Sequence, residues 1–102
     1  MTETTETIQT LLVRDAAGAE RAVAVGPAPI TLGRDAACTI PLASRYVSRR
    51  HARIEAQGDT VLFVDLGSHN GSRVNGRRVA APTRLLPGDR LDLAGVTILC
   101  RP

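Results

Sequence analysis

A short cationic segment contains the densest set of side chains able to bind an anion. Residues 42–50 read LASRYVSRR, and the arginines at positions 45, 49 and 50 are followed by another at 53. Arginine presents a planar fork of donors that matches the oxygens of phosphate and carboxylate groups. The hydroxyl of Ser48 stands among these cations in the sequence. The composition of this segment therefore predicts an anion-binding loop.

A second stretch, residues 67–76, reads GSHNGSRVNG and contains two Asn-Gly pairs five residues apart. Asn-Gly is a strong signal for a tight turn because both residues tolerate a positive φ. Two interpretations follow from two turns this close together. The chain folds back twice in quick succession, or one pair belongs to a binding loop while the other only reverses the chain.

A catalytic set can also be written from the sequence, since Ser48, His51 and Asp65 occur in that order. The surrounding residues argue against it. His51 begins a segment of alternating polar and apolar residues that is typical of a strand, and no glycine-rich nucleophile elbow or oxyanion hole is recognisable. We therefore expect that the protein is not an enzyme.

Charge and composition exclude several other classes. The net charge is +3 and all 13 cationic residues are arginine, but aromatic residues make up only 2% of the chain. Nucleic-acid binding is not expected, because few aromatic rings are available to stack on bases. Cys38 and Cys100 are far apart, so we expect two buried free thiols and no metal site. No apolar run is long enough to span a membrane, and we expect a cytoplasmic protein.

The elements that must position these residues are short β-strands. Polar and glycine-rich turns separate eleven β-like runs, and no segment keeps the apolar period of a helix. The sequence therefore predicts an all-β, eleven-stranded antiparallel or mixed β-sandwich in residues 7–102, preceded by a short flexible tail in residues 1–6. The predicted strands are residues 7–14, 21–25, 30–33, 39–42, 51–57, 60–66, 72–74, 77–79, 83–85, 90–93 and 96–101.

The order and spacing of four short motifs resemble one known family. The motifs are Gly33-Arg34, Ser48-x-x-His51, Asp65-x-x-Ser68-x-Asn70-Gly71 and Asn75-Gly76. In this order they resemble the signature of the forkhead-associated (FHA) domain. Residues 86–91, LPGDRL, are also similar to the last hairpin of that family, so the resemblance extends from about residue 30 to residue 101.

The resemblance implies a sandwich whose loops at one end bind phosphothreonine peptides, with no catalysis, cofactor or metal. Carried over by position, Arg34 and Ser48 would contact the phosphate, and Arg49 would be a further phosphate donor. Asn70 would hydrogen-bond the peptide main chain and fix its register. The resemblance assigns structural support to Gly33, His51, Gly71, Asn75 and Gly76, which favours the interpretation that only the first Asn-Gly pair belongs to a binding loop.

Residue 69 departs from the family pattern. The family often has threonine there, close to the phosphate, and this chain has His69. Two interpretations stay open. The imidazole adds a donor whose charge changes near neutral pH, or the side chain is exposed and only the backbone contributes.

The resemblance also implies a partner, namely a phosphothreonine-containing protein or peptide in a Ser/Thr kinase pathway. We expect a monomer. The threonines of the acidic segment TETTET, residues 2–7, leave open a phosphorylation-dependent association of two chains. The arginines at 45, 73, 77 and 78 either flank the peptide groove or are solvated surface charges. The alternative function is a scaffold of the FHA type that binds a protein through a sheet face without phosphate.

Overall fold

Residues 7–102 form eleven β-strands, as the sequence predicts. A computed structural model describes residues 7–102, so the predicted tail in residues 1–6 lies outside the described residues. In the described part, no helix is present that is long and apolar enough to cross a membrane. The strands are β1 (Thr10–Arg14), β2 (Glu20–Ala24), β3 (Ile30–Gly33), β4 (Ile40–Pro41), β5 (Ala52–Gln57), β6 (Thr60–Asp65), β7 (Arg73–Val74), β8 (Arg77–Arg78), β9 (Thr83–Leu85), β10 (Arg90–Leu93) and β11 (Val96–Arg101).

The strands form two sheets that pack as a sandwich. One sheet has six strands in the order β2-β1-β11-β10-β7-β8, and the other has five in the order β4-β3-β5-β6-β9. Most neighbouring strands are antiparallel, but β3 and β4 are parallel. The prediction of a mixed β-sandwich is therefore confirmed.

The core follows from the alternation of apolar residues along the strands. In β5, Ala52 and Ile54 are buried while Arg53 is only half-buried. Ile54 is opposite Phe63 of β6, and Phe63 is fully buried. Burying one such side chain stabilises the fold by roughly 1.5–3 kcal/mol. The strands that carry the candidate loops are thus anchored in the centre of the sandwich.

The second Asn-Gly pair forms the hairpin turn between β7 and β8. Asn75 and Gly76 both have positive φ, 52° and 83°, as the tight two-residue hairpin turn requires. The Asn75 side chain also donates to Asp89 Oδ1 at 2.9 Å and accepts the Arg90 N–H at 2.9 Å. This turn is therefore fixed to the last hairpin of the chain.

Both cysteines are free and buried, as predicted. Burial raises the pKa of the Cys100 thiol to about 12, and the nearby charge of Asp89 adds to the effect. Cys100 is consequently a neutral core residue at physiological pH.

Candidate functional site

The candidate site begins where β3 ends, at Gly33 and Arg34. Gly33 passes so close to the next loop that a Cβ at this position would lie 2.1 Å from the carbonyl oxygen of Arg49. Only glycine allows this approach. It lets the backbone N–H of Arg34 donate to Ser48 O at 3.0 Å and the N–H of Asp35 donate to Arg49 O at 3.1 Å.

The side chain of Arg34 is oriented by the same loop. Its Nε donates to the carbonyl oxygen of Val47 at 3.2 Å, while the residue as a whole is exposed. The terminal nitrogens of the guanidinium can therefore bind an anion. Arg34, Asp35 and Arg49 line a surface pocket of about 290 Å³. Among the described residues, neither Arg34 nor Arg49 forms an ion pair.

Ser48 is held by three hydrogen bonds. Its carbonyl oxygen accepts the amide of Arg34, and its own N–H donates to His51 Nδ1 at 3.1 Å. Its Oγ accepts the backbone N–H of His69 at 3.0 Å. An oxygen that accepts from a backbone amide keeps its own hydrogen for another partner. The hydroxyl of Ser48 is therefore a positioned donor beside Arg34.

His51 links the two loops from inside the protein. The residue is completely buried. Because Nδ1 accepts the amide of Ser48, the proton of the neutral ring must be on Nε2, which donates to Gly71 O at 2.8 Å. The ring thus connects the loop of residues 42–51 to the loop of residues 66–72.

Asp65 organises the second of these loops. Its carboxylate accepts the N–H and the hydroxyl of Ser68, at 2.8 and 2.7 Å, and the hydroxyl of Ser72 at 2.6 Å. Burial alone raises the pKa of Asp65, but the hydrogen bonds from Ser72 and Ser68 outweigh burial, so its pKa lies below the ordinary value. Sequence reasoning missed Ser72, which is buried and follows the first Asn-Gly pair.

The first Asn-Gly pair lies at the tip of this loop. Asn70 is exposed, and its Nδ2 donates to the carbonyl oxygen of Tyr46 at 2.6 Å. Gly71 has a φ of 79°, and a Cβ there would lie 3.0 Å from Nε of Arg78. The positive φ and the close approach together favour glycine. Asn70 thus projects from a loop whose backbone is fixed on both sides.

His69 and Tyr46 complete the exposed surface. The amide of His69 contacts Ser48, but its ring is exposed, so both interpretations of this residue stay predictions. Arg45 lies over the ring of Tyr46, with Cζ 5.0 Å from the ring centroid, and donates to its hydroxyl at 2.9 Å. Sequence reasoning missed Tyr46 as a site residue. Its position between cations in the loop was the available signal.

Ser48, His51 and Asp65 are not arranged as a catalytic nucleophile and its base. His51 contacts the backbone amide of Ser48 and not its hydroxyl. Its other nitrogen donates to Gly71 O and lies 3.9 Å from Asp65 Oδ2. A proton cannot pass from the hydroxyl to a ring nitrogen that already accepts an amide. In residues 7–102, no group of three or more His, Cys, Asp or Glu side chains is placed to hold a metal ion.

The fold and the loops define a class of protein, a β-sandwich interaction module that presents its donors from one end. The model of the FHA domain family matches residues 30–94. The chain therefore belongs to the FHA domain family, whose members are recognition modules rather than enzymes.

Known proteins similar to this chain carry the same domain. The FHA domain-containing protein FhaB of Mycolicibacterium smegmatis is 30% identical over 92 residues, which cover 90% of this chain and 59% of the relative. The chain thus spans about 59% of the length of the curated relatives that it matches first.

Two solved structures have the same fold as this chain. One, from a structural and functional analysis of phosphothreonine-dependent FHA domain interactions, is 29% identical with a TM-score of 0.81, covering 91% of this chain and 96% of the other. The other is Mycobacterium tuberculosis EmbR in complex with a low-affinity phosphopeptide, 28% identical with a TM-score of 0.81, covering 90% of this chain and 24% of the other.

Proposed function

We propose that this chain binds phosphothreonine-containing peptides or proteins in Ser/Thr kinase signalling and catalyses no reaction. One observation carries the proposal. The guanidinium of Arg34 and the hydroxyl of Ser48 are both oriented by backbone groups and still have donors available, and they are joined through the hydrogen bond between their backbones. A phosphate has three strong acceptor oxygens, which two such oriented donors suit.

The roles proposed for the individual residues follow from their positions. Arg34 and Ser48 bind the phosphate directly, and Arg49 adds a second cation across the pocket that it shares with Arg34. Asn70 hydrogen-bonds the peptide main chain, because its amide oxygen and one amide hydrogen have no partner among the described residues. His69 is adjacent to this surface, and its amide already serves to fix Ser48.

The expected affinity is micromolar. Three hydrogen bonds to a charged group, at about 1.5–3 kcal/mol each, give roughly 4.5–9 kcal/mol before costs. Ordering an extended peptide removes part of this, while contacts to the peptide main chain add to it. A binding free energy of about −8 kcal/mol corresponds to a Kd of about 1 μM.

Two solved relatives support the proposal. One solved relative comes from work on phosphothreonine-dependent interactions, and another holds a phosphopeptide. The preference for phosphothreonine over phosphoserine is carried over from the family. It would depend on one methyl group in an apolar pocket, which discriminates between two ligands by about 10- to 200-fold.

The test is a fluorescence anisotropy titration with a phosphothreonine peptide library, with the matching unphosphorylated and phosphoserine peptides alongside. The protein is compared with Arg34→Ala and with a control of equal charge change, Arg101→Ala, in which an exposed arginine at the end of β11 is removed. We expect micromolar binding that requires phosphate, is lost in Arg34→Ala and is retained in Arg101→Ala. Equal binding with and without phosphate would overturn the proposal and favour the alternative scaffold that uses a sheet face.

A further inference from the structure

The two sheets end together on one side of the sandwich and leave a groove there. The edge strands on this side are β8 of the six-stranded sheet and β9 of the five-stranded sheet. Residues of both strands line a groove of about 690 Å³, which we name the β8–β9 groove. Its lining includes Arg77, Arg78, Val79, Thr83, Arg84 and Leu86.

The opposite side of the sandwich is closed by comparison. There the edge strands are β2 and β4, and the guanidinium of Arg21 in β2 donates to Pro41 O in β4 at 2.6 Å. The nearby cation Arg14 is paired with Glu20 at 2.6 Å. The cleft that remains on that side is about 280 Å³. The β8–β9 groove is larger than this cleft. In the described part of the chain, no side-chain hydrogen bond joins β8 to β9 across the groove.

The β8–β9 groove is strongly cationic. Arg77, Arg78 and Arg84 are exposed, and in residues 7–102 none of them forms an ion pair. Asp89 is the one carboxylate that lines the groove. Both of its oxygens already accept hydrogen bonds, Oδ1 from Asn75 and Oδ2 from the amide of Leu86 at 2.7 Å. The three arginines that line the groove therefore have no carboxylate paired with them among the described residues.

The groove also offers an apolar contact and two unpaired strand edges. Leu86 is 52% exposed, one of three large hydrophobic residues that are exposed in the described part of the chain. β8 and β9 each have a hydrogen-bonded neighbour on one side only. An extended peptide satisfies such an edge with its backbone, and its alternating side chains reach the groove wall.

We propose that the β8–β9 groove binds an extended acidic peptide segment carrying an aliphatic side chain, without requiring phosphate. The carboxylates pair with Arg77, Arg78 and Arg84, and the aliphatic side chain packs on Leu86. The charge pattern alone would also suit a nucleic acid. A peptide is favoured because the lining contains no aromatic ring for base stacking and presents apolar side chains beside open strand edges.

The position of Arg78 connects this groove to the candidate phosphopeptide site. Its guanidinium lies directly against the backbone of Gly71, the residue that follows Asn70. A partner that occupies the loops can therefore extend into the β8–β9 groove. Two contacts on one partner increase its overall affinity. The groove itself does not depend on the proposed phosphate binding.

The test is an NMR titration of the ¹⁵N-labelled protein with an unphosphorylated peptide in which glutamate and leucine alternate. The matching peptide has glutamine in place of glutamate. We expect saturable amide shifts in residues 77–79 and 83–86 with the acidic peptide and none with the glutamine peptide. The double variant Arg77→Gln, Arg84→Gln should weaken binding about tenfold, equivalent to about 1.4 kcal/mol.

Two control variants separate this proposal from the proposed function. Arg34→Ala should leave the acidic peptide's affinity unchanged, and so should Arg21→Gln combined with Arg101→Gln, which matches the charge loss of the double variant. Shifts confined to residues 34, 48 and 49 would overturn the proposal, because the acidic segment would then occupy the phosphate loops. Equal weakening by the control double variant would reduce the effect to overall charge and overturn it as well.

Two further measurements complete the test. A single-stranded oligonucleotide that shifts the same amides at lower concentration than the peptide would replace the proposed occupant with a nucleic acid. Analytical ultracentrifugation of the protein alone should give a monomer. A concentration-dependent dimer that is abolished by Arg77→Gln, Arg84→Gln would instead make a second copy of this chain the occupant.

Discussion

His51 Nδ1 accepts the backbone N–H of Ser48 at 3.1 Å. This bond places the imidazole beneath the residue whose hydroxyl is proposed to bind phosphate. Since the other ring nitrogen donates to Gly71 O, one buried side chain fixes both loops of the candidate site. The geometry of the proposed phosphate donors thus depends on a buried residue that is not itself proposed to contact the phosphate.

Replacing His51 should therefore affect both stability and binding. His51→Ala leaves the Ser48 N–H and the Gly71 O without partners inside the protein and creates a cavity. We expect the free energy of unfolding to fall by about 2–4 kcal/mol and phosphopeptide affinity to fall with it. Urea denaturation and anisotropy measure the two effects. His69→Ala, at an exposed position of the same loop pair, should change stability by less than about 0.5 kcal/mol. Equal stability losses in the two variants would contradict this role of His51.

The fork of Arg34 should matter more than its charge. Nε donates to Val47 O, which directs the two terminal nitrogens outward. Lysine keeps the charge but has no nitrogen that can make the contact to Val47 O while the others face a phosphate. We expect Arg34→Lys to weaken phosphopeptide binding at least about tenfold, measured by anisotropy. Arg101→Lys serves as the control, and full affinity in Arg34→Lys would show that charge alone is sufficient.

The sequence predicted the strands well because each is a short apolar run bounded by turn residues. All eleven predicted runs are strands, and Ile30–Gly33, Thr83–Leu85, Arg90–Leu93 and Val96–Arg101 have the predicted bounds. The largest difference is at β1, which begins at Thr10 and not at residue 7. Residues 7–9 precede the ladder between β1 and β11, which begins at Thr10 opposite Arg101. The alternation of residue types along the sequence does not show where strand pairing begins.

The candidate site was only partly predictable. The family motifs gave Arg34, Ser48 and Asn70, and the structure brings their loops together through the bonds of Ser48 and His51. The bond between Asn70 and Tyr46 O joins residues 24 positions apart and involves a backbone carbonyl, which carries no residue signal. The β8–β9 groove was likewise not predictable as a surface, because it depends on which strands end each sheet.

Gly33 and Gly26 form a matched pair that tests how much a close backbone approach contributes to stability. Its Cβ position is 2.1 Å from Arg49 O, whereas the Cβ position of Gly26 has no atom within 4 Å, and neither glycine has a positive φ. Gly33→Ala must push the loop of Arg49 away, and we expect a loss of about 1–3 kcal/mol of stability and weaker phosphopeptide binding. Gly26→Ala should be neutral or slightly stabilising. Thermal or urea unfolding decides between them, and equal stabilities of the two variants would show that the loop yields without cost.

Asp65 should make the protein sensitive to acid. Its pKa in the folded protein lies below the ordinary value of 3.8, because the hydrogen bonds from Ser72 and Ser68 outweigh the effect of burial. A depressed pKa contributes stability that is present above the unfolded value and is lost as the pH falls through the folded value. Asp65→Asn should therefore lower the free energy of unfolding by about 1–3 kcal/mol at pH 6, and the difference from the unmodified protein should shrink below pH 3.8.

Urea midpoints at several pH values measure this difference, with Asp59→Asn in the exposed β5–β6 turn as control. A difference that stays constant with pH would contradict the assignment.

The thiol of Cys100 should resist reagents that need a thiolate. The residue is 1% exposed, and burial followed by the charge of Asp89 raises its pKa to about 12. The folded protein holds this proton up to high pH while the unfolded chain releases it near 9, so Cys100 lowers stability as the pH rises above 9. At pH 8, reaction with a thiol reagent should require unfolding, and its rate should rise with urea in parallel with the unfolded fraction. The variant Cys38→Ala isolates Cys100 in this measurement. Fast labelling of that variant without urea would contradict the prediction, because it would mean that the core around β11 opens locally while the protein stays folded.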